Sequence, residues 1–403
     1  MLGVHRAIVR NTPSLALPTA RGAPTRCTAS QHLTKGPSLT SLTKRIGLGA
    51  VAALGTVALL TGCGSAPSAT STASKSTFLP CVVGDVGGFN DHSFNELSLE
   101  GVEAAAKQIG TTAKKVQSQT STDYAPAFAS LVAQKCNSIV AAGFQFGDPL
   151  VASAKANPKI DYVMIDNTTT PTLPNVKDVV FKTSEAGFLG GYAAAAYADT
   201  TSKSPSVATY GGQKFPTVTI FMDGVADGVA YYNSQKKKNV KMLGWSVKSQ
   251  NGSFVGNFTD QNKSKQIATG FLDQGASVII PVAGSLYQGA YKAITAANNS
   301  TAVLEGVDAD VYESDPTVKD KILTSIVKKV DLAAKTATLQ AADGKWDNST
   351  YIGDLKNGGV ALAPFHDYAS KVPSTLSSEL DTIKAGIISG SITVDSPAAT
   401  TLK

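Results

Sequence analysis

From Phe78 onward, short apolar runs alternate with stretches whose apolar positions recur every three or four residues. Brief runs bounded by Gly, Asp or Asn read as buried strands, and the longer recurrence reads as helix. Strands are predicted at Leu79 to Val86, Val116 to Gln119, Ser138 to Ala142, Tyr162 to Asp166 and Val179 to Lys182. Helices are predicted at Glu96 to Gln108, Tyr124 to Gln134 and Ala186 to Ala198, the last made of small residues that allow close packing. A second series repeats the alternation. Its strands are Val207 to Tyr210, Lys241 to Ser246, Val278 to Val282 and Val303 to Val307; its helices are Val218 to Asn233, Lys263 to Gln274 and Gln288 to Asn298. Two βαβ series in tandem predict an α/β chain of two doubly wound parallel-sheet lobes joined by a hinge. After Asp310 come strands at Ile322 to Val327 and Val360 to Leu362, with helices at Leu332 to Ala342 and Ser374 to Ala385, a tail expected to cross back between the lobes. The expected first lobe is residues 78–201 with about 311–345, and the second is 202–310 with about 346–403. In such folds a ligand sits in the crevice beyond the carboxyl ends of the strands.

The chain has 403 residues and a formal charge of +6, but residues 1–62 hold seven basic side chains and no acidic one. That leaves 29 basic against 30 acidic groups, which removes any composition argument for nucleic acid as a partner. The basic segment is a leader. Lys44-Arg45 precedes an uncharged run from Ile46 to Leu60, too short to span a bilayer, and then Leu60-Thr61-Gly62-Cys63. Cysteine directly after small residues resembles the bacterial lipobox, which implies a lipoprotein signal and diacylated Cys63 as the first residue of the mature protein, the alternative being a plain membrane helix. Two acyl chains anchor a protein firmly to a membrane, here the outer face of a bacterial cell membrane. Residues 63–77, rich in Ser, Ala and Thr, have the composition of a flexible tether. With Cys27 in the leader and Cys63 lipidated, only Cys81 and Cys136 remain; an oxidising compartment allows a disulfide between them, the alternative being two buried thiols.

Catalytic signatures are thin. Past the leader only His92 and His366 remain, with no His/Cys cluster for a metal, and no phosphate loop, dinucleotide fingerprint or nucleophile elbow occurs, so neither metal nor cofactor is expected. Polar and aromatic residues instead gather at the predicted strand ends. They are the loop Asp85 to Asn95, Asp166-Asn167, Gly256 to Asp260, Val282-Ala283-Gly284 and Gly306-Val307-Asp308. Singly, an Asp before a helix is commonly an N-cap and a Phe is commonly core; together they outline a site for a small polar ligand.

Several of these segments resemble the basic membrane protein lipoproteins, the purine nucleoside receptor-like substrate-binding components of ABC importers. They are Asp91-His92-Ser93-Phe94-Asn95, Gly187-Phe188-Leu189-Gly190-Gly191-Tyr192, Val207 to Gly212, Asn257-Phe258-Thr259-Asp260, Val282-Ala283-Gly284, Gly306-Val307-Asp308 and Thr324 to Lys328. The resemblance implies a type I periplasmic-binding-protein-like fold, no catalytic activity, and a permease and ATPase as partners. It also implies a nucleoside ligand, with Phe94 and Phe258 clamping the base, Asn95 and Asp166 reading its edge, Asp308 and Lys328 gripping the ribose, and Gly284 admitting close backbone approach. Asp85 and Asp91 belong to the same set more loosely. Two positions depart from the family pattern: His92 stands where Lys is usual, and Ser285-Leu286-Tyr287 replaces a second glycine-rich turn. The alternatives are the same fold holding a sugar or signalling molecule, a nucleoside-cleaving enzyme, for which no clustered carboxylates argue, and a surface antigen without a ligand. For the anchor, Cys63→Ser is expected to move the protein out of the membrane fraction or leave its leader uncleaved; a variant still processed and membrane-bound on fractionation contradicts the lipobox.

Overall fold

The computed structural model describes residues 76–297 and 301–402. The leader, Cys63 and most of the tether lie outside them. The chain opens with β1 (Pro80–Gly84), α1 (Phe94–Gln108), β2 (Lys114–Gln117), α2 (Tyr124–Ala133), β3 (Ser138–Ala142), α3 (Gly147–Ala156), β4 (Asp161–Ile165) and β5 (Val176–Phe181). It continues through α4 (Thr183–Thr201), β6 (Ser206–Gly211), α5 (Pro216–Lys236), β7 (Lys241–Leu243) and a short antiparallel pair, β8 (Trp245–Ser246) and β9 (Asn251–Gly252). Then come α6 (Gln261–Asp273), β10 (Val278–Val282), α7 (Tyr287–Ala296), β11 (Val303–Asp308), α8 (Val311–Ser314) and β12 (Ile322–Lys328). The chain closes with α9 (Val330–Ala342), β13 (Tyr351–Gly353), β14 (Val360–Leu362) and α10 (Leu376–Ser389).

Two six-stranded sheets result, ordered β13-β5-β4-β3-β1-β2 and β14-β12-β11-β10-β6-β7. Their neighbouring strands are parallel except that β14 runs antiparallel to β12. Strands buried on both faces carry unbroken apolar runs, as in Ser138–Ala142 and Val278–Val282. The outer face of the first sheet packs under α2 and α3 through Phe128, Phe146 and Tyr162, and that of the second under α6 and α7 through Tyr210, Phe271 and Tyr287. The largest core runs along α1, α9, α4 and α5 on the inner faces. Cys81 in β1 and Cys136, just ahead of the adjacent β3, form a disulfide with their Cα atoms 6.0 Å apart.

The two α/β lobes stand as expected, but their boundary lies elsewhere. The small-residue helix α4, expected in the first lobe, packs on α5 and on β6, β12 and β14 of the second. A Cβ on Gly187 would come within 2.8 Å of the Phe221 carbonyl, so glycine is what lets the two helix backbones meet. Within 311–345, also expected in the first lobe, α8 and β12 belong to the second, and only α9 packs against α1 of the first. Conversely β13, within the segment 346–403, joins the first sheet parallel to β5. The chain therefore changes lobe at 181–183, 328–330 and 353–360. Two of these crossings pass directly from strand to helix with no Gly/Pro linker, so composition does not mark them. They are tied together: Lys182 N donates to Gly353 O at 2.8 Å, and Lys329 N to Gly359 O at 2.9 Å. Helix α3 and strand β13 are unanticipated; in α3 only Leu150 and Ala154 are buried, too few to write a helical period. The single strand predicted at Lys241 to Ser246 breaks at Gly244, whose φ is +82°.

Glu305, in the middle of β11, is fully buried with neither carboxyl oxygen hydrogen-bonded among the described residues. It sits beneath α4, where a Cβ on Gly190 would be 2.9 Å from its Oε2. Burial raises its pKa well above the ordinary glutamate value. A folded-state pKa above the unfolded one means stability is fullest below the unfolded pKa and is lost as pH rises toward the raised value. Glu305→Gln is therefore expected to melt close to the wild type near pH 4.5 and progressively above it toward pH 8. Parallel melting curves across that range would contradict this.

Candidate ligand-binding cleft

In each sheet the strand order reverses beside the first strand of its series, between β1 and β3 and between β6 and β10. Connections leave those strands in opposite directions and open a crevice at their carboxyl ends. The two crevices face one cavity. Asp85, Asp91, Phe94, Asn95, Asp166, Phe258, Gly284, Asp308 and Lys328, all anticipated as site residues, line it.

On the first lobe the loop after β1 is organised by Asp91. Its carboxylate accepts from the backbone N–H groups of Ser93, Asn95 and Glu96 at 2.9–3.1 Å and so caps the first turn of α1, which points Phe94 into the cavity. The Asn95 amide donates to Asp85 Oδ1 at 2.9 Å and to Asp91 Oδ2 at 3.1 Å, and its oxygen accepts from Asp85 N at 3.0 Å. Both of its donors are thus used within the loop. Asp85 Oδ1 also accepts from Gly87 N at 2.8 Å, while Oδ2 faces Gly143 at the end of β3. Burial pushes the Asp85 carboxyl up to about 6, against the opposing pull of those donors.

At the other end of the cavity Asp166 closes β4 and Asp308 closes β11, with φ of +63° and +67°. Non-glycine residues rarely occupy this left-handed region, and such strain persists only where surrounding contacts over-determine it. Lys328, the last residue of β12, supplies those contacts. Its Nζ is 2.6 Å from Asp166 Oδ2 and 3.5 Å from Asp308 Oδ1, and it lies over the rings of Phe221, Phe94 and Phe181 at 4.9, 5.2 and 5.7 Å. Burial alone would lower the lysine pKa; the two carboxylates outweigh it and hold the ammonium charged. Asp308 Oδ2 in turn accepts from Ser93 Oγ of the first lobe at 3.1 Å.

Phe258 is set by its neighbours: Asn257 Oδ1 accepts from the N–H groups of Thr259 and Asp260, and Asp260 caps α6 through Lys263 N at 2.8 Å. Gly284 begins the turn after β10 with φ +54°. His92, at the first departure from the family pattern, does not line the cavity; its N–H donates to Glu96 at 2.9 Å. At the second, Ser285 lines the cavity while Leu286 and Tyr287 are buried in the second lobe's outer core. Sequence reasoning missed Phe144, Thr217, Val218 and Phe221. Phe144 follows β3 as Asp85 follows β1, a strand-end signal that was readable; Thr217 and Phe221 lie on one face of α5 and look like ordinary helix positions. Among the described residues no group of three or more His, Cys, Asp or Glu is placed to hold a metal.

The fold and its cleft are those of a two-lobed small-ligand-binding protein. Residues 79–396 match the family described as ABC transporter substrate-binding protein, PnrA-like, and the chain belongs to that family. It is 30% identical to the ABC transporter nucleoside-binding protein BmpA of Lactococcus lactis, over 88% of this chain and 99% of the relative. An uncharacterized lipoprotein of Pyrococcus abyssi is 28% identical over 75% of this chain and 73% of its own. Among solved structures, an ABC transporter solute-binding protein from Aeropyrum pernix superposes with a TM-score of 0.71 at 26% identity, covering 79% of this chain and 94% of that one. Such a protein binds a solute and presents it to a permease and ATPase at the cell envelope; it is not an enzyme.

Across the cleft mouth Phe144 of the first lobe packs on Phe215 of the second, with ring centroids 4.3 Å apart, and meets Phe258 at 6.3 Å. A polar chain runs beside them. Tyr124 OH donates to Gln145 at 2.6 Å, Gln145 to Gln213 at 3.5 Å, and Gln213 to Gly256 O at 3.0 Å. Phe215 does not line the cavity. An aromatic pair contributes about 0.5–1.5 kcal/mol beyond its burial, or roughly two- to tenfold in a closed-to-open ratio. Phe215→Ala is expected to shift the ligand-free protein toward the open form, read as a larger radius of gyration in solution scattering; an unchanged radius removes this pair as a clasp.

Proposed function

We propose that the protein captures a nucleoside, and specifically a purine nucleoside, in the interlobe cleft and delivers it to its permease, tethered to the outer face of the membrane through lipid on Cys63. The observation that carries the reading is one cavity lined by an aromatic ring from each lobe, Phe94 and Phe258, and bearing two separate polar clusters. A planar base between rings gains about 1–3 kcal/mol per stacked face. The relative whose name includes nucleoside binding supports the ligand class, and the lipoprotein relative supports the anchor.

In this reading Asp85 meets the base edge, with Asn95 and Asp91 holding it in place. An edge of the wrong donor pattern leaves a buried carboxyl unpaired, at a cost of about 1–3 kcal/mol. Asp166 moves from base edge to ribose, because its ion pair with Lys328 groups it with Asp308; two carboxylates and an ammonium together match a diol that both donates and accepts. Gly284 admits close backbone approach on the second lobe.

The test is a calorimetric and thermal-melt screen of protein freed of co-purified ligand against inosine, guanosine, adenosine, uridine, cytidine and ribose. Ligand at a hundredfold its Kd stabilises by about 2.7 kcal/mol, enough to raise Tm by several degrees. Purine nucleosides are expected to give that shift and pyrimidine nucleosides a smaller one. A flat response to all nucleosides with a shift on a sugar would replace the proposed ligand.

A further inference from the structure

Helix α5 enters the cavity with its N-terminus. Phe215 is its N-cap and Pro216 its first residue, so Thr217 is the second. Thr217 is 6% exposed and lines the cavity, and its Oγ1 is buried with no hydrogen-bond partner among the described residues. Within a helix a threonine hydroxyl ordinarily bonds back to a carbonyl one turn earlier, but at the second position no such helical carbonyl exists. A buried hydroxyl left unpaired is costly, and a ligand group reaching it from the cavity would remove that cost.

We propose that Thr217 is a ligand-contacting residue that binds the 5′-hydroxyl of the nucleoside sugar. This rests on the nucleoside reading given above. Phe221 lies four residues on, on the same helix face, and carries the Lys328 ammonium over its ring at 4.9 Å. Thr217 is thus one helical turn from Phe221, whose ring faces the charge cluster of Lys328, Asp166 and Asp308, and both residues line the same cavity. A furanose held by its 2′,3′-diol at that cluster carries its 5′-hydroxyl away from the diol, free to meet a second group of the cavity wall. The 5′-oxygen can accept from or donate to the threonine hydroxyl, and the positive end of the α5 dipole favours an oxygen there.

The test is Thr217→Val, which keeps shape and removes only the hydroxyl, examined with and without ligand. Ligand-free T217V is expected to melt about 1–3 °C above the wild type, because a methyl replaces an unpaired buried hydroxyl. Inosine affinity by calorimetry is expected to fall about three- to tenfold. With 5′-deoxyinosine that loss should vanish, and with 2′-deoxyinosine it should remain. A ligand-free variant that melts below the wild type would mean the hydroxyl is satisfied by protein, and overturns the proposal. Equal inosine affinity of variant and wild type overturns this assignment alone, as does a loss that persists with 5′-deoxyinosine. Failure of the wild type to bind any nucleoside overturns the nucleoside reading and the 5′-hydroxyl assignment with it.

Discussion

The structure turns on one buried ammonium. Lys328 is 3% exposed, ends β12 where the chain leaves the second lobe, and bridges a carboxylate from each lobe. An isolated charge so placed would be strongly disfavoured; two carboxylates and three ring faces are what make it tolerable. The arrangement exists only while Asp166 and Asp308 hold their left-handed backbone conformation and the lobes stay together. Removing Lys328 would leave two buried acids facing each other, whereas removing either acid would leave the lysine one partner.

Around that centre the two lobes repeat a single solution. Each places an aspartate at the end of a central strand, a glycine-bearing loop at the point where strand order reverses, and an aromatic ring at the rim. The first lobe adds the tightly cross-linked loop of Asp85, Asp91 and Asn95, in which the amide of Asn95 is committed to fixing the carboxylates. The second adds the N-terminus of α5. A ligand placed between them meets preset groups on both sides, so little side-chain ordering is left to oppose binding. Phe144 also lines the cavity, and its ring packs on Phe215 of the other lobe, which does not.

Much of the fold was legible along the chain, because strands buried on both faces and helices with one apolar stripe write their own periodicities. The strand-end residues were legible for a related reason: doubly wound sheets put their ligands at carboxyl ends, so Asp166, Asp308 and the loop from Asp85 to Asn95 stood out. Roles were less legible than membership. Asn95 and Asp166 were expected to share one edge of the ligand, yet Asn95 is bound up with Asp85 and Asp91 while Asp166 pairs with Lys328. Which polar groups satisfy each other depends on distances across the cleft, and those are absent from a one-dimensional pattern.

The amino-acid sequence by itself determined the α/β class, the two lobes and the set of residues available to a cleft, since each follows from local periodicity, composition or a contiguous motif. Tertiary structure decided where the chain changes lobe, which helix lies on which sheet, and that Thr217 and Phe221 face the cavity from α5. It also decided that Glu305 is fully buried with no hydrogen-bond partner among the described residues. The physical reason is common to all of these. They are set by contacts between segments remote along the chain, such as the glycine contact of α4 with α5 and the charge cluster at Lys328, and remote contacts leave no period in the sequence to read.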